Sequence, residues 1–123
     1  MKLGAFSLSL AVSNIEASKV FYQKLGFEVI GGDQKQHWLI LRNEEHTIGL
    51  FQGMFEGNIM TFNPGWDKDC NELDEFDDVR VLHKEFNTKG IETVQENLAD
   101  DSGPGSFSVI DPDGNIILVD QNV

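Results

Sequence analysis

The 123-residue chain is long enough for one domain with a sizeable core, and its content of 40% hydrophobic residues excludes a disordered protein. Its net charge of −12 argues against nucleic acid and anionic membranes as partners, because their phosphates would repel it, and permits a cationic ligand. No apolar run is long enough to span a membrane, and the lone Cys70 has no partner for an internal disulfide, so we expect a cytoplasmic protein.

The first half of the chain predicts the element order β-α-β-β-β. Residues 6–12 alternate large apolar side chains with serine and alanine, which is typical of a half-buried strand. Ser13 as the N-cap and Glu16 three residues later form a capping box. A helix is therefore expected from about Ile15 to Lys24, and Gly26 ends it. Three further strands are expected at 27–30, 37–41 and 47–51, with turns at 31–33 and 43–46.

The second half repeats this order. A helix that runs to about Thr88 places its apolar side chains on one side, and Gly90 ends it as Gly26 ends the first. That apolar side consists of Phe76, Val79, Leu82, His83 and Phe86. Strands are expected at 58–63, 91–94, 106–110 and 116–119. The last strand follows a tight turn at 111–115 and is apolar on both faces, so we expect it in the interior of a sheet.

The two halves are interpreted as copies of one supersecondary unit. The corresponding segments are 26–28 with 90–92 and 48–51 with 116–119. We therefore predict one domain over residues 1–123, made of modules at 1–55 and 56–123, neither of which covers its sheet alone. The second module carries an inserted loop at about 64–74, which contains Pro-Gly turn chemistry, Trp66 and several acids.

Two motifs stand at the ends of this doubled unit. The opening motif consists of Leu10-Ala11-Val12-Ser13-Asn14, Ser18, Phe21-Tyr22 and Leu25-Gly26-Phe27. The closing motif is Asp111-Pro112-Asp113-Gly114-Asn115. Together they resemble the L-x-V-x-D…S-x-x-F-Y…L-G-F and D-P-D-G-N motifs of the vicinal oxygen chelate superfamily, which includes glyoxalase I, bleomycin-resistance proteins and extradiol dioxygenases. The resemblance implies an α+β fold of two βαβββ modules whose mixed sheets form a cup.

The resemblance also implies a metal site in that cup, to which the first and last strands of each module supply one His or Glu each. The corresponding positions here are Ser7, Gly49, Leu118 and either Asn58 or Ile59. A hydroxyl, an absent side chain and an isobutyl group cannot supply the ligands that a divalent ion needs. We therefore predict no metal site at these positions and no cofactor, and we do not expect glyoxalase or extradiol chemistry by the family mechanism.

Few other residues offer a replacement for such a site. His83 is expected to be partly buried and hydrogen-bonded, and His46 to be solvated, which leaves His37 as the histidine able to line a pocket. The acids at 67–74 lack the glycine and bidentate glutamate of a calcium loop, so a solvated acidic loop is expected. Cys70 lies among these acids, which disfavour a reactive thiolate.

Strand alternation predicts which side chains line the cup. If the large apolar residues of the first strand pack on a helix, the serines between them face inward, and counting by twos extends this face to the other strands. The candidates for ligand binding are Ser7, Ser9, His37, Gly49, Phe51, Thr61, Asn63, Trp66, Leu118 and Asp120. They form a mostly apolar surface with a few polar groups, as small-molecule sites do. Trp66 either stacks on a ligand or anchors its own loop.

Three functions are open on this basis. The first is a metal-independent protein that binds a small molecule, cationic or drug-like, as the bleomycin-resistance branch implies. The second is an enzyme: a lyase or dioxygenase with relocated metal ligands, or a metal-free catalyst that uses Asp120 or His37 as its acid or base. The third is a cup filled by side chains such as Phe51 and Leu118. A homodimer is expected, since family members commonly pair modules within or between chains.

Overall fold

A computed structural model describes all residues from 1 to 123, which divide into two compact units. The first unit is Ser7–Ile59, and the second unit consists of Met1–Phe6 and Met60–Val123. Neither helix of the chain has the length and apolar character of a membrane span. The predicted β-α-β-β-β order occurs twice along the chain, and the α+β class is confirmed.

The first unit packs one helix against four strands. Its elements are β1 (Ala5–Val12, of which the first two residues belong to the second unit), α1 (Ile15–Lys24), β2 (Glu28–Asp33), β3 (Trp38–Asn43) and β4 (His46–Gln52), with a 3-10 turn at Gln34–Gln36. The strand order is β2-β3-β4-β1. β1 runs parallel to β4, and the other neighbouring strands are antiparallel.

The core of the first unit lies between α1 and these strands. Leu39, Leu41 and Leu50 are buried with Ile15 of α1, and Leu10 packs against them. Because side chains alternate along a strand, the residues between these leucines lie on the opposite face of the sheet. This surface, the first helix-free face, carries Ser7, Ser9, Ala11, Trp38, Ile40, Arg42, Thr47, Gly49 and Phe51.

The second unit repeats the arrangement. Its elements are β5 (Ile59–Asn63), α2 (Val79–Thr88), β6 (Val94–Asn97), β7 (Gly105–Ile110) and β8 (Ile116–Gln121). The strand order is β5-β8-β7-β6, so the interior position predicted for the last strand is confirmed. β8 is antiparallel to β7, and β7 is antiparallel to β6.

The core of the second unit is formed by α2 and the strands beneath it. Val79, Leu82 and Phe86 of α2 are buried against Phe107 of β7 and Val119 of β8. The alternate residues of β7 and β8 therefore lie on the opposite surface, the second helix-free face. It carries Ser106, Ser108, Leu118 and Asp120.

The start of α1 differs from the prediction. Its bounds are as expected, but the N-cap is Asn14, whose Oδ1 accepts a hydrogen bond from the Ala17 amide at 3.0 Å. Asn14 has the extended backbone of an N-cap, and Ser13 lies one residue too early to reach the helix amides. The predicted capping box is therefore wrong, and Glu16 pairs with Lys19 at 3.0 Å instead.

Both helices end at the predicted glycines. Gly26 and Gly90 both have positive φ values, 95° and 80°, directly after the C-caps, which confirms their predicted role. Past Gly90, the Ile91 amide donates to the Phe86 carbonyl oxygen at 2.9 Å. The strand predicted at 91–94 begins only at Val94. Phe76, which was predicted to lie on α2, precedes it, because Asp78 is the N-cap.

The turn predicted at residues 31–33 is also wrong, since these residues belong to β2. The pairing register of β2 with β3 shifts between Val29 and Gly31, which marks a bulge. A Cβ atom on Gly32 would lie 2.6 Å from the Trp38 carbonyl oxygen, so the glycine permits the two strands to approach. The reversal is made by the 3-10 turn instead, and His37 ends it with a positive φ of 69°.

One glutamine in each unit joins the last strand to the start of the helix. Gln52 Oε1 accepts from the Ile15 amide at 2.8 Å, and Gln121 Oε1 accepts from the Val79 amide at 2.8 Å. The two glutamines are thus equivalent, and Gly49 is equivalent to Leu118. The predicted match of residues 48–51 with 116–119 is therefore wrong by one residue.

Candidate functional site

Phe51 covers the strand position that the resemblance assigns to a metal ligand in the first unit. A Cβ atom built on Gly49 would lie 2.5 Å from Phe51 Cε2 and 3.1 Å from Cζ. Real Cβ atoms do not approach other atoms so closely, so the phenyl ring lies over Gly49 in the space that a side chain would need. Glycine at position 49 is thereby explained by packing.

Three aromatic rings meet beside Gly49. Trp38 and Phe51 are cross-strand partners, and their rings are parallel to within 8° with centroids 6.4 Å apart. Phe55, in the segment after β4, lies 5.4 Å from Phe51 in a tilted arrangement. All three rings are half-buried, so each keeps part of its surface exposed. We call this group the aromatic cluster.

Trp38 was missed in the site prediction, where His37 stood in its place. β3 begins at Trp38, and His37 lies outside it, exposed and in the left-handed conformation. The prediction that His37 begins the strand is therefore wrong. Trp38 alternates along β3 with the buried Leu39, and this alternation is the signal that would have identified Trp38 as a residue of the helix-free face.

The serines of β1 lie where alternation predicted. Ser9 is buried and stands opposite Gly49 in the β1–β4 register, while Ser7 is half-buried. Leu10 and Val12 pack on the core side of the same strand. The first helix-free face therefore combines aromatic surface with two hydroxyl groups.

Asp120 is the titratable group of the second helix-free face. Its neighbour Val119 packs against α2, and its other neighbour Gln121 bonds to Val79 at the start of α2, so Asp120 faces away from the helix. Its register partner is Ser106. Burial raises the pKa of the Asp120 carboxyl.

Three further candidates lie on β5 and in the turn that follows it. Asn63 is buried, and its Oδ1 accepts from the Gly65 amide at 3.1 Å, whereas its Nδ2 has no hydrogen-bond partner. Trp66 is held through its backbone: its amide donates to the Asn63 carbonyl oxygen and its own carbonyl accepts from Ala5 at 3.0 Å. Thr61 is half-buried on the same face of β5 as Asn63. These backbone bonds hold the start of the inserted loop at Trp66.

The inserted acidic loop is organised by one side chain. Asp67 Oδ1 accepts from the amides of Asp69 at 2.9 Å and Asn71 at 3.0 Å. A hydrogen bond from the Asn71 amide is the leading cause that lowers the Asp67 pKa. The carboxylate therefore stabilises a turn, as Asp carboxylates commonly do.

The other two histidines, His83 and His46, differ in their surroundings. His83 is partly buried, with Nε2 2.9 Å from Glu96 Oε1 and 3.1 Å from Thr93 Oγ1, as predicted for a hydrogen-bonded histidine. Its ring meets the edge of Phe107 at 5.3 Å. His46 is exposed at the start of β4.

The residues at the implied ligand positions do not fit a metal ion. Ser7 offers a hydroxyl, Gly49 lies under a phenyl ring, and Leu118 is apolar. The amide oxygen of Asn58 accepts from the Ala11 amide at 3.3 Å. No group of three or more His, Cys, Asp or Glu residues in the chain is placed to hold an ion.

Neither a family model nor a curated protein sequence matches this chain. Its fold matches solved structures over nearly the whole length. A glyoxalase/bleomycin resistance protein/dioxygenase superfamily member from Vibrio splendidus 12B01 aligns with a TM-score of 0.64 at 17% identity, over 95% of this chain and 97% of that one. The chain adopts the fold of the vicinal oxygen chelate superfamily.

Other proteins with this fold carry different functional names. A methylmalonyl-CoA epimerase from Streptomyces coelicolor aligns with a TM-score of 0.63 at 14% identity, over 99% of both chains. A protein named NAD-dependent benzaldehyde dehydrogenase from Legionella pneumophila aligns with a TM-score of 0.71 at 18% identity, over 96% of this chain and 99% of that one. The vicinal oxygen chelate fold therefore does not select a reaction, and function has to be argued from the residues.

Proposed function

We propose that this protein binds a small organic molecule without a metal ion. The observation that carries the proposal is the Phe51 ring over Gly49: aromatic surface stands where a metal ligand would project. Leu118, at the equivalent position of the second unit, places an apolar group where the resemblance implies a ligand. Ligand sites built mostly from apolar and aromatic side chains do not need a cation.

The chemistry of the two helix-free faces supports this proposal. The aromatic cluster offers ring surfaces, and contacts between aromatic groups contribute about 0.5–1.5 kcal/mol each beyond the burial of area. On the first face Ser9 carries a hydroxyl group, which can act as a donor and as an acceptor. The second face separately carries the Ser106 hydroxyl group and the acidic group of Asp120.

Tryptophan fluorescence provides a direct test, because the chain contains only Trp38 and Trp66. In a Trp66→Phe variant all emission comes from Trp38, next to Phe51. We expect some members of a panel of aromatic and cationic compounds to change this emission, and to raise the melting temperature, since a ligand of the native state stabilises it. The matched Trp38→Phe variant, which keeps Trp66, should lose most of the signal.

Metal independence is tested on the same compounds. Binding should be unchanged after dialysis against a chelator, and elemental analysis should find no stoichiometric transition metal. Loss of binding on chelation, with recovery on adding zinc, nickel, manganese or iron, would show that the proposal is wrong. Failure of every compound to bind would favour faces filled by their own side chains.

A metal-free enzyme is the second candidate, and Asp120 is the observation that favours it. A half-buried carboxyl with a raised pKa is a typical general acid or base. Asp120→Asn should then abolish turnover while substrate still binds. Incorporation of solvent deuterium into a panel of carbonyl compounds with acidic C–H bonds is a suitable screen, and its absence from all of them would remove this candidate.

We also propose a cytoplasmic homodimer. Exposed apolar side chains support association: Phe21 and Leu25 on α1 are 58% and 56% exposed, and Val29 and Ile30 lie exposed on β2. The exposed thiol of Cys70 suits a reducing compartment. Light scattering coupled to size exclusion should give twice the mass of one chain, and Phe21→Glu should reduce it to one. A monomeric parent protein would rule out the dimer.

A further inference from the structure

Asp120 is a carboxylate without a partner. No hydrogen bond or ion pair within the chain reaches it, and burial alone accounts for its raised pKa. The other carboxylates with shifted pKa values all accept hydrogen bonds, and those bonds lower their pKa. Asp78 in the same unit is an example: burial alone would raise its pKa, but hydrogen bonds from Arg80 and Gln121 lower it. Asp120 therefore differs from the structural acids of this protein.

Two cations of the second unit, Arg80 and Lys89, are engaged with other residues. Arg80 donates to Asp78 at 3.1 Å and to the carbonyl oxygens of Gly103 and Pro104, so its guanidinium is held by the loop before β7. Lys89 lies 3.7 Å from Glu85 on α2. No cation of the chain pairs with Asp120, although a half-buried charge is costly unless it is paired.

The surroundings of Asp120 suit an external cation. Leu118 precedes it on the same face, which lowers the local polarity and strengthens an ion pair. Ser106, its register partner, offers a hydroxyl that accepts from an ammonium or guanidinium group. The net charge of −12 attracts cations to the protein from a distance.

We propose that the second helix-free face binds a ligand through a protonated amine or guanidinium group, which pairs with Asp120. This inference rests on the proposed function and adds the chemical class of the ligand. A charge-assisted hydrogen bond to a carboxylate is about twice as strong as a neutral one, so the cation should be preferred over a neutral group of the same shape.

The test compares two probes of nearly equal shape, phenethylamine and phenethyl alcohol, by titration monitored through the backbone amide signals of β7 and β8. The amine should bind about tenfold more tightly than the alcohol to the parent protein. In Asp120→Asn this ratio should fall to about one. Asp113→Asn, which removes the same charge from the exposed turn before β8, should keep the preference for the amine. The same spectra show whether each variant is folded.

The outcomes separate this inference from the proposed function. Equal affinities of the two probes for the parent protein would overturn the cation site and leave small-molecule binding intact. A preference for the amine that persists in Asp120→Asn would place the cation elsewhere and also overturn it. If neither probe perturbs β7 or β8, the cation site is wrong, and the fluorescence panel with Trp38 then decides separately whether the protein binds small molecules.

Discussion

Replacing Gly49 with alanine tests whether the Phe51 ring occupies the space above that strand position. The new methyl group would lie 2.5 Å from Phe51 Cε2, well inside 3.0 Å, the separation below which real Cβ atoms are essentially never found. Ile40 Cδ1, at 3.4 Å, limits movement on the other side. The ring therefore has to rotate, and in rotating it loses its contacts with Trp38 and Phe55.

The change in the free energy of unfolding expected for Gly49→Ala is the sum of two opposing contributions. Forcing an extra methyl group into a packed site costs about 1–3 kcal/mol. Alanine is about 0.5–1 kcal/mol better than glycine inside a strand, so Gly49→Ala should lower the free energy of unfolding by a net of about 1–2 kcal/mol. In a Phe51→Ala background the clash is absent, and the same substitution should raise the free energy of unfolding by about 0.5–1 kcal/mol.

Urea unfolding of the parent, both single variants and the double variant closes a double-mutant cycle. The expected coupling between positions 49 and 51 is about 1–3 kcal/mol, since only the overpacking term depends on both residues. Additive effects, with a coupling below about 0.5 kcal/mol, would mean that the ring does not lie over Gly49. Packing against Phe51 would then no longer explain why position 49 is a glycine.

Three further predictions concern stability. Gln121→Leu should lower the free energy of unfolding by about 2–4 kcal/mol in urea, because the first amide of α2 and the carbonyl oxygens facing the side chain lose buried partners; a loss under about 1 kcal/mol would contradict this. Hydrogen bonds from Thr93 and then His83 lower the pKa of Glu96, so its stabilising effect is present above the ordinary value of 4.5 and is lost as the pH falls through the lower folded-state value. Glu96→Gln should therefore flatten the acid side of a stability-against-pH curve, and parallel curves for the two proteins would count against the contact. Asn14→Ala should lower the free energy of unfolding by about 1 kcal/mol, because the helix loses its N-cap, whereas Ser13→Ala should have little effect. A larger loss for Ser13→Ala than for Asn14→Ala would support Ser13 as the N-cap instead.

Local patterns were sufficient for most of the fold. The apolar spacing of α1 and the glycine after it predicted the extent of that helix, although the expected N-cap, Ser13, lies one residue before the real one, Asn14. One error arose where a neighbouring strand decides. Gly32 belongs to β2 because β3 approaches it closely, so the end of β2 cannot be read from the residues at that boundary.

The sequence predicted which residues of the candidate site lie on the side of the sheet away from the helices. It did not predict how their side chains pack there. Alternation placed Ser9, Gly49 and Asp120 correctly away from the helices, because a strand has a fixed period of two. That Phe51 folds back over Gly49 depends on its rotamer, which its contacts with other aromatic rings select. A one-residue error at the start of β3 then exchanged His37 for Trp38 and hid the aromatic cluster.

The glutamine at the end of each last strand has a consequence for the order of folding. Gln52 reaches back 37 positions to Ile15, and Gln121 reaches back 42 positions to Val79, so both helices receive their first amide partner from the most distant strand of the same repeat. Contacts of such long sequence separation form slowly, because the entropy of closing the intervening loop has to be overcome first. Hydrogen exchange at these two amides should accordingly report late docking of β4 and β8, while the middles of the helices become protected earlier.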